Sequence, residues 1–214
     1  MIFSEFVTKL YTELQHDLPG VKSHAEMSPF KRPNVNQLAK IGKTPKQSAV
    51  MVLFYPFQNR PHFCLTQRPE YNGTHSGQVS FPGGKMEEVD INLKATALRE
   101  TFEEVGATVE HIQVLSELTQ VYIPPSNFLV TPFIGFCDER PNFVADPIEV
   151  VEIMDVSVAT LMDESIVKRK SMKMGTSGIR FKVPYYDIQD KVVWGATAVI
   201  LSEVKKILKP FYTT

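Results

Sequence analysis

Apolar residues recur at helical spacing at the start of the chain, at Phe3, Phe6, Val7, Leu10, Tyr11 and Leu14. The spacing predicts an amphipathic helix over residues 2–15, docked on the domain or on a second copy of the chain. The pattern then changes. Residues 48–55 form a β-branched and apolar run, 56–61 turn between two prolines, and 62–66 resume, which predicts a hairpin. A short strand over 78–81 runs into Pro82-Gly83-Gly84. A helix closed by Gly106 follows, and its 3.6-residue period puts Ala95, Leu98, Phe102 and Val105 on one side, expected to be buried. Strands are predicted over 114–121 and 128–136, and a short one over 147–154 ahead of Val156-Ser157-Val158. A helix over 158–168, a turn-rich hairpin over 172–178 and a strand over 179–187 come next. A last helix spans 196–208, with Ala198, Leu201, Val204, Lys205 and Leu208 at helical spacing and Pro210 to stop it. No internal repeat occurs, and no stretch approaches the ~20 apolar residues of a membrane span. Periodicity alone predicts an α/β or α+β chain.

Residues 1–47 read as an N-terminal helix and a basic, proline-containing arm, and 48–214 as the main domain. Pro19-Gly20, Pro29, Pro33 and Pro45 break any long element in the arm. Lys22, Lys31, Arg32, Lys40, Lys43 and Lys46 stand there against Glu26. Such an arm is either a solvated linker or a surface that faces phosphate. A net charge of -1 over 214 residues argues against bulk binding of nucleic acid or membrane, and a homodimer stays open. The two cysteines, Cys64 and Cys137, sit in apolar runs and read as buried free thiols, which suits a reducing cytoplasm. The N-terminus, with Glu5 and no continuous apolar stretch, does not read as a signal peptide.

The chemistry concentrates between Gly83 and Gly106. Glu100, Glu103 and Glu104 share one helix face. Like charges at this spacing repel, so the face is either solvated or neutralised by a cation. Carboxylate oxygens are hard ligands and suit Mg²⁺ or Mn²⁺ better than zinc. Gly83-Gly84 allows the backbone to approach a phosphate closely, with Lys85 next to it on the surface or facing the same group.

The run Gly-Gly, Asp90, Arg99-Glu100, Glu103-Glu104, Gly106 resembles the Nudix box, GX5EX7REUXEEXGU, in which U is a bulky aliphatic residue. Asp90 stands where the box has Glu, eight residues rather than seven separate it from Arg99, and Thr101 and Ala107 fill the U positions. These departures are similar to the coenzyme A pyrophosphatase branch, whose box has this Asp, the extra residue and a Thr-Ala-Leu-Arg-Glu run, here 96–100. That branch also has an upstream motif, matched by Leu65-Thr66-Gln67-Arg68 and Gly77-Gln78-Val79-Ser80-Phe81-Pro82-Gly83-Gly84. The resemblance covers roughly residues 48–208. It implies an α/β/α sandwich with a mixed sheet. It implies that Glu100, Glu103 and Glu104 bind Mg²⁺ or Mn²⁺ and act in catalysis, with one of them, Glu117 or a nearby acid as general base. Arg68, Gly83, Gly84 and Lys85 would face the diphosphate. Arg32, with Lys31, is the candidate for a further phosphate, and Ser126, Tyr122 and Phe128 for the cleft. Asp90 or Glu87 would bond Arg99 as a structural pair. The loop 69–76 lacks the branch's basic residue and offers Tyr71, Asn72 and His75 instead. The implied reaction converts coenzyme A or an acyl derivative to 3′,5′-ADP and 4′-phosphopantetheine. A Nudix hydrolase of ADP-ribose or a dinucleotide, a non-catalytic Nudix-fold binding module, and an acidic-helix interaction domain are the alternatives.

Overall fold

The computed structural model describes residues 1–33, 35–71, 75–173 and 180–212. Its centre is β1 (Lys46–Phe57), hairpinned to β2 (Arg60–Gln67) and lying parallel to β7 (Phe128–Phe136). The short strands β3 (Val79–Ser80) and β4 (Gly83–Lys85) pair antiparallel with β2 and β1. On the other side β5 (Gln113–Glu117) and β6 (Val121–Ile123) pair antiparallel with β7, and β8 (Glu152–Ser157) pairs antiparallel with β2. The sheet is therefore mixed. A smaller antiparallel sheet joins β9 (Val167–Lys173), β10 (Arg180–Ile188) and β11 (Lys191–Val193).

Period-two alternation along β1 builds a core on each face of the sheet. Val52 and Phe54 join a cluster with Phe6 and Leu10 of α1 (Phe3–Glu13) and Leu201, Val204 and Leu208 of α6 (Gly195–Leu208). Ala49, Met51, Leu53 and Tyr55 face the other way, onto Ala97 and Val105 of α4 (Leu93–Val105) and the two free thiols. The result is an α/β/α sandwich. Phe6 and Leu10 are fully buried, and burial of each contributes about 1.5–3 kcal/mol, so the first helix belongs to the core of the domain.

The arm is more structured than its prolines suggest. It holds α2 (Val21–His24), a 3-10 turn at Ala25–Met27 and α3 (Val35–Lys40), and it buries Met27 and Leu38. Three further expectations are corrected. The strand expected over 114–121 is interrupted: a bulge lies between Val114 and Ser116, and Thr119 turns aside to bond Glu203. The strand expected to start at 147 starts at Glu152, because Asp146 accepts the N–H groups of Ile148 and Glu149 at 2.8 and 2.9 Å and holds a turn. The helix expected over 158–168 stops as α5 (Val158–Met162). There the Asp163 carboxylate accepts from Ser165, a local bond that competes with the helix, and Val167 enters β9. The tip of the expected 172–178 hairpin lies outside the described residues.

Candidate active site

Strand β4 lies against β1 with Gly83 opposite Val50 and Gly84 opposite Ala49. A Cβ on Gly83 would stand 2.3 Å from the Ala49 carbonyl oxygen, so only glycine allows this pairing. A Cβ on Gly84 would stand 2.4 Å from the carboxyl carbon of Glu100.

Helix α4 begins at Asn92, whose side chain accepts the Ala95 N–H at 2.9 Å, and ends at Gly106 with φ of 70°. Its inward face corrects the sequence expectation. Ala97, Thr101, Glu104 and Val105 are buried, while Phe102 is 52% exposed and Ala95 and Leu98 are half-buried. The acidic side thus turns toward the sheet, where the Gly-Gly strand leaves room for carboxylates. The three acids then separate. Glu104 is buried, Glu100 rests on Gly84, and Glu103 is exposed and bonds Arg99 at 2.7 Å.

Arg99 ties loop, strand and helix together. Its Nε donates to Asp90 Oδ1 and its Nη2 to Asp90 Oδ2, both at 2.9 Å, and Nη2 also reaches the Lys85 carbonyl at 3.2 Å. Asp90 accepts further from the Thr96 hydroxyl at 3.0 Å and from the Glu87 N–H at 2.9 Å. Asp90 is therefore the partner of Arg99, and Glu87 contributes its backbone. The Arg99 guanidinium holds the Asp90 carboxyl well below the usual range.

Glu104 pairs with Arg68 Nη2 at 3.2 Å and accepts the Gly83 N–H at 3.3 Å. Burial pushes its carboxyl up to about 8, against the pull of Arg68 and Gly83 and with the help of Glu100 and Glu149. Burial raises Glu100 too, against Arg99. The sequence pointed to Glu117 as the extra acid; it is exposed at the end of β5. Glu149 is also exposed, on the loop tied to α4 by the Asp146 N–H on the Glu104 carbonyl at 3.0 Å, and its charge adds to the upward push on both box carboxyls. Among the described residues no three His, Cys, Asp or Glu side chains converge as a finished metal cluster. The donor chemistry nonetheless fits a hard divalent cation: Glu100 and Glu104 offer only carboxylate oxygens, like charges crowd a partly buried space, and Gly84 keeps that space clear.

A family model of the NUDIX domain matches residues 45–172. The chain belongs to the Nudix family. It is 32% identical over 145 residues to the uncharacterized Nudix hydrolase NudL of Photorhabdus laumondii, covering 68% of this chain and 76% of that one. It is 30% identical over 180 residues to Nudix hydrolase 3 of Caenorhabditis elegans, covering 76% and 73%. Among solved structures, the M. smegmatis Nudix hydrolase RenU superposes with a TM-score of 0.53 at 15% identity, over 79% of this chain and 89% of that one. A MutT/nudix family protein from Enterococcus faecalis gives 0.51 at 16%, over 98% and 76%. These two likenesses bear on the fold, a mixed α/β sandwich. The chain is a Nudix pyrophosphohydrolase, acting on nucleoside diphosphate derivatives.

In this Nudix hydrolase a cavity of about 540 Å³ opens beside the box. Arg68, Gly83, Gly84 and Lys85 line it, as does Arg32 from the arm. The box glutamates adjoin it through the two glycines rather than lining it. Among the described residues its lining carries three formal cations, Arg32, Arg68 and Lys85, and no carboxylate. Phe128, Tyr71 and His75 are also on the wall, whereas Asn72 lies outside the described residues. Two expected contacts are not brought there. Ser126 sits in the turn closed by Asn127 N–H on the Pro124 carbonyl, with its Oγ enclosed and unpartnered. Tyr122 is buried, and its hydroxyl donates to Asn127. The sequence missed Phe30, Trp194 and Thr197 as cavity walls. Of these, the Trp194-Gly195 step before the last helix was the one visible signal.

Proposed function

We propose that this Nudix hydrolase cleaves the diphosphate of coenzyme A or an acyl derivative, giving 3′,5′-ADP and 4′-phosphopantetheine or its acyl form. One observation carries the reading: Arg68, from the upstream motif, meets Glu104, from the box, at Gly83 on the wall of a cationic cavity. Two motifs that are 36 residues apart at this pair thereby form one site. Cavity walls of a single sign focus an anionic substrate, and about 540 Å³ is the scale of a small-molecule site.

Phosphoanhydride hydrolysis builds negative charge on the bridging and equatorial oxygens. Arg68 and Lys85, which line the cavity with Gly83 and Gly84, would face that charge. Glu100 and Glu104, joined by Glu103, would hold Mg²⁺ or Mn²⁺. Such an ion stabilises developing charge and lowers the pKa of bound water. A box glutamate, or Glu149 on the loop that Asp146 ties to the Glu104 carbonyl, would accept the proton from water. Arg99 and Asp90 keep the box loop on the helix. Among the described residues no helix is long and apolar enough to cross a membrane. The two buried free thiols suit a cytoplasmic setting.

The test is hydrolysis of coenzyme A with Mg²⁺ or Mn²⁺, with products identified by mass spectrometry. Release of 3′,5′-ADP by the wild type, lost in Glu104→Gln, supports the reading. Turnover of ADP-ribose or a dinucleotide but not of coenzyme A would keep the chemistry and reject the substrate.

A further inference from the structure

A buried carboxylate is one anchor of the arm on the domain. Glu203 of α6 is fully buried, and it accepts the Gly20 N–H at 3.0 Å and pairs with His24 Nε2 at 3.1 Å. It also accepts the Thr119 N–H at 3.2 Å and the Thr119 hydroxyl at 2.7 Å. Burial alone would raise its carboxyl, but the bonds from His24 and Thr119 outweigh it and hold the group charged and low. Next to it, the Ser202 hydroxyl donates to the Ser23 carbonyl at 2.9 Å. These bonds fix the start of a segment that ends at Phe30 and Arg32.

Those two residues line both the main cavity and a second one of about 340 Å³ between the arm and β6, so they form the partition between the two. Arg32 Nη1 donates to the Tyr122 carbonyl at 2.8 Å, while its Nε is enclosed and has no acceptor. Among the described residues no carboxylate is paired with this guanidinium, and burial draws its pKa down. The second cavity is lined by Lys31 and His24 as well as Arg32 and, among the described residues, again by no acid. A largely enclosed guanidinium without a counter-charge among the described residues, on the wall of both cavities, is suited to pair with an anion.

We infer that Arg32 binds a phosphate monoester remote from the diphosphate being cleaved, and that Glu203 is the positioning residue that holds Arg32 in place for it. The inference rests on the diphosphate-cleavage reading and names a recognition subsite for its substrate.

The experiment is calorimetric binding of 3′,5′-ADP and of 5′-AMP to the full chain, which needs no turnover. The two probes differ by one phosphate monoester. A charge-assisted Arg–phosphate contact makes 3′,5′-ADP at least about tenfold tighter for the wild type. Arg32→Met brings the ratio to within about twofold of one, and Glu203→Gln lowers it at least about threefold. Loss of packing alone would weaken both probes together and leave the ratio in place. His24→Gln reports on the same anchor should Glu203→Gln not fold. A wild-type ratio near one, or a ratio untouched by Arg32→Met, overturns the subsite. A ratio lowered by Arg32→Met but by neither anchor variant overturns the role of Glu203. A high ratio in a protein that hydrolyses no coenzyme A leaves the subsite standing and removes the proposed substrate.

Discussion

The carboxylate of Glu100 occupies the place where Gly84 would carry a side chain, with its carboxyl carbon 2.4 Å from an added Cβ. The glycine pair and the acidic helix are thus one device: the second glycine makes room for an acid on the next element.

Gly84→Ala displaces a side chain, whereas Gly83→Ala collides with the backbone of β1 at Ala49. Steady-state kinetics and thermal melting should therefore separate them. Gly84→Ala lowers kcat at least about tenfold with a small change in melting temperature, because the side chain at the end of the contact can rotate away. Gly83→Ala lowers the melting temperature first, by the several degrees that about 2 kcal/mol represents in a domain of this size.

Glu104→Gln should cost about 10²-fold in kcat, the scale for removing a charge stabiliser. Its effect on stability has the opposite sign. The Glu104 carboxyl is raised from 4.5 to about 8 in the folded chain without metal. The folded state therefore keeps a proton that the unfolded state has released. Its contribution is complete below 4.5 and is lost as pH rises through about 8. Melting of metal-free protein at pH 8.5 and pH 5 checks this: the variant is the more stable of the two at the higher pH, and the gap closes at the lower.

Asp90 gives the reverse dependence. Its folded carboxyl lies below the ordinary 3.8 because Arg99 holds it, so its stabilisation is present above that value and fades as pH falls. Asp90→Asn is expected to lose about 2–3 kcal/mol at pH 7, the range for hydrogen bonds to a charged partner. Urea titrations at pH 7 and pH 3 should show the gap between wild type and variant beginning to narrow at the lower pH, since it closes only once pH falls through the folded value, well below 3.8.

Glu149→Gln and Glu117→Gln distinguish the two acids outside the box. A positioned general base contributes about 10²–10⁴-fold, so Glu149→Gln lowers kcat by at least about 10²-fold with little change in KM. Glu117→Gln, at an exposed strand end, stays within about twofold of wild type. Equal kcat values for the two variants would remove Glu149 from the chemistry.

The sequence by itself determined the order of elements around β1, the acid-rich helix with its Gly106 stop, and the chemistry of the box, because these rest on short-range periodicity and on residues close in the chain. It left two partners for Arg99, and the structure selects Asp90. The inward face of α4 was not legible. Periodicity says that a helix has two sides, but what lies opposite decides which is buried, and here that is a strand whose glycine spares room for Glu100. The arm was not legible either. Its anchor joins His24 to Glu203, 179 residues away, and no local pattern in either segment names the other. The loop that carries Glu149 is tied to the box helix only because Asp146 curls it and donates its N–H to the Glu104 carbonyl at 3.0 Å. Those three placements depend on long-range packing, and only the tertiary structure decided them.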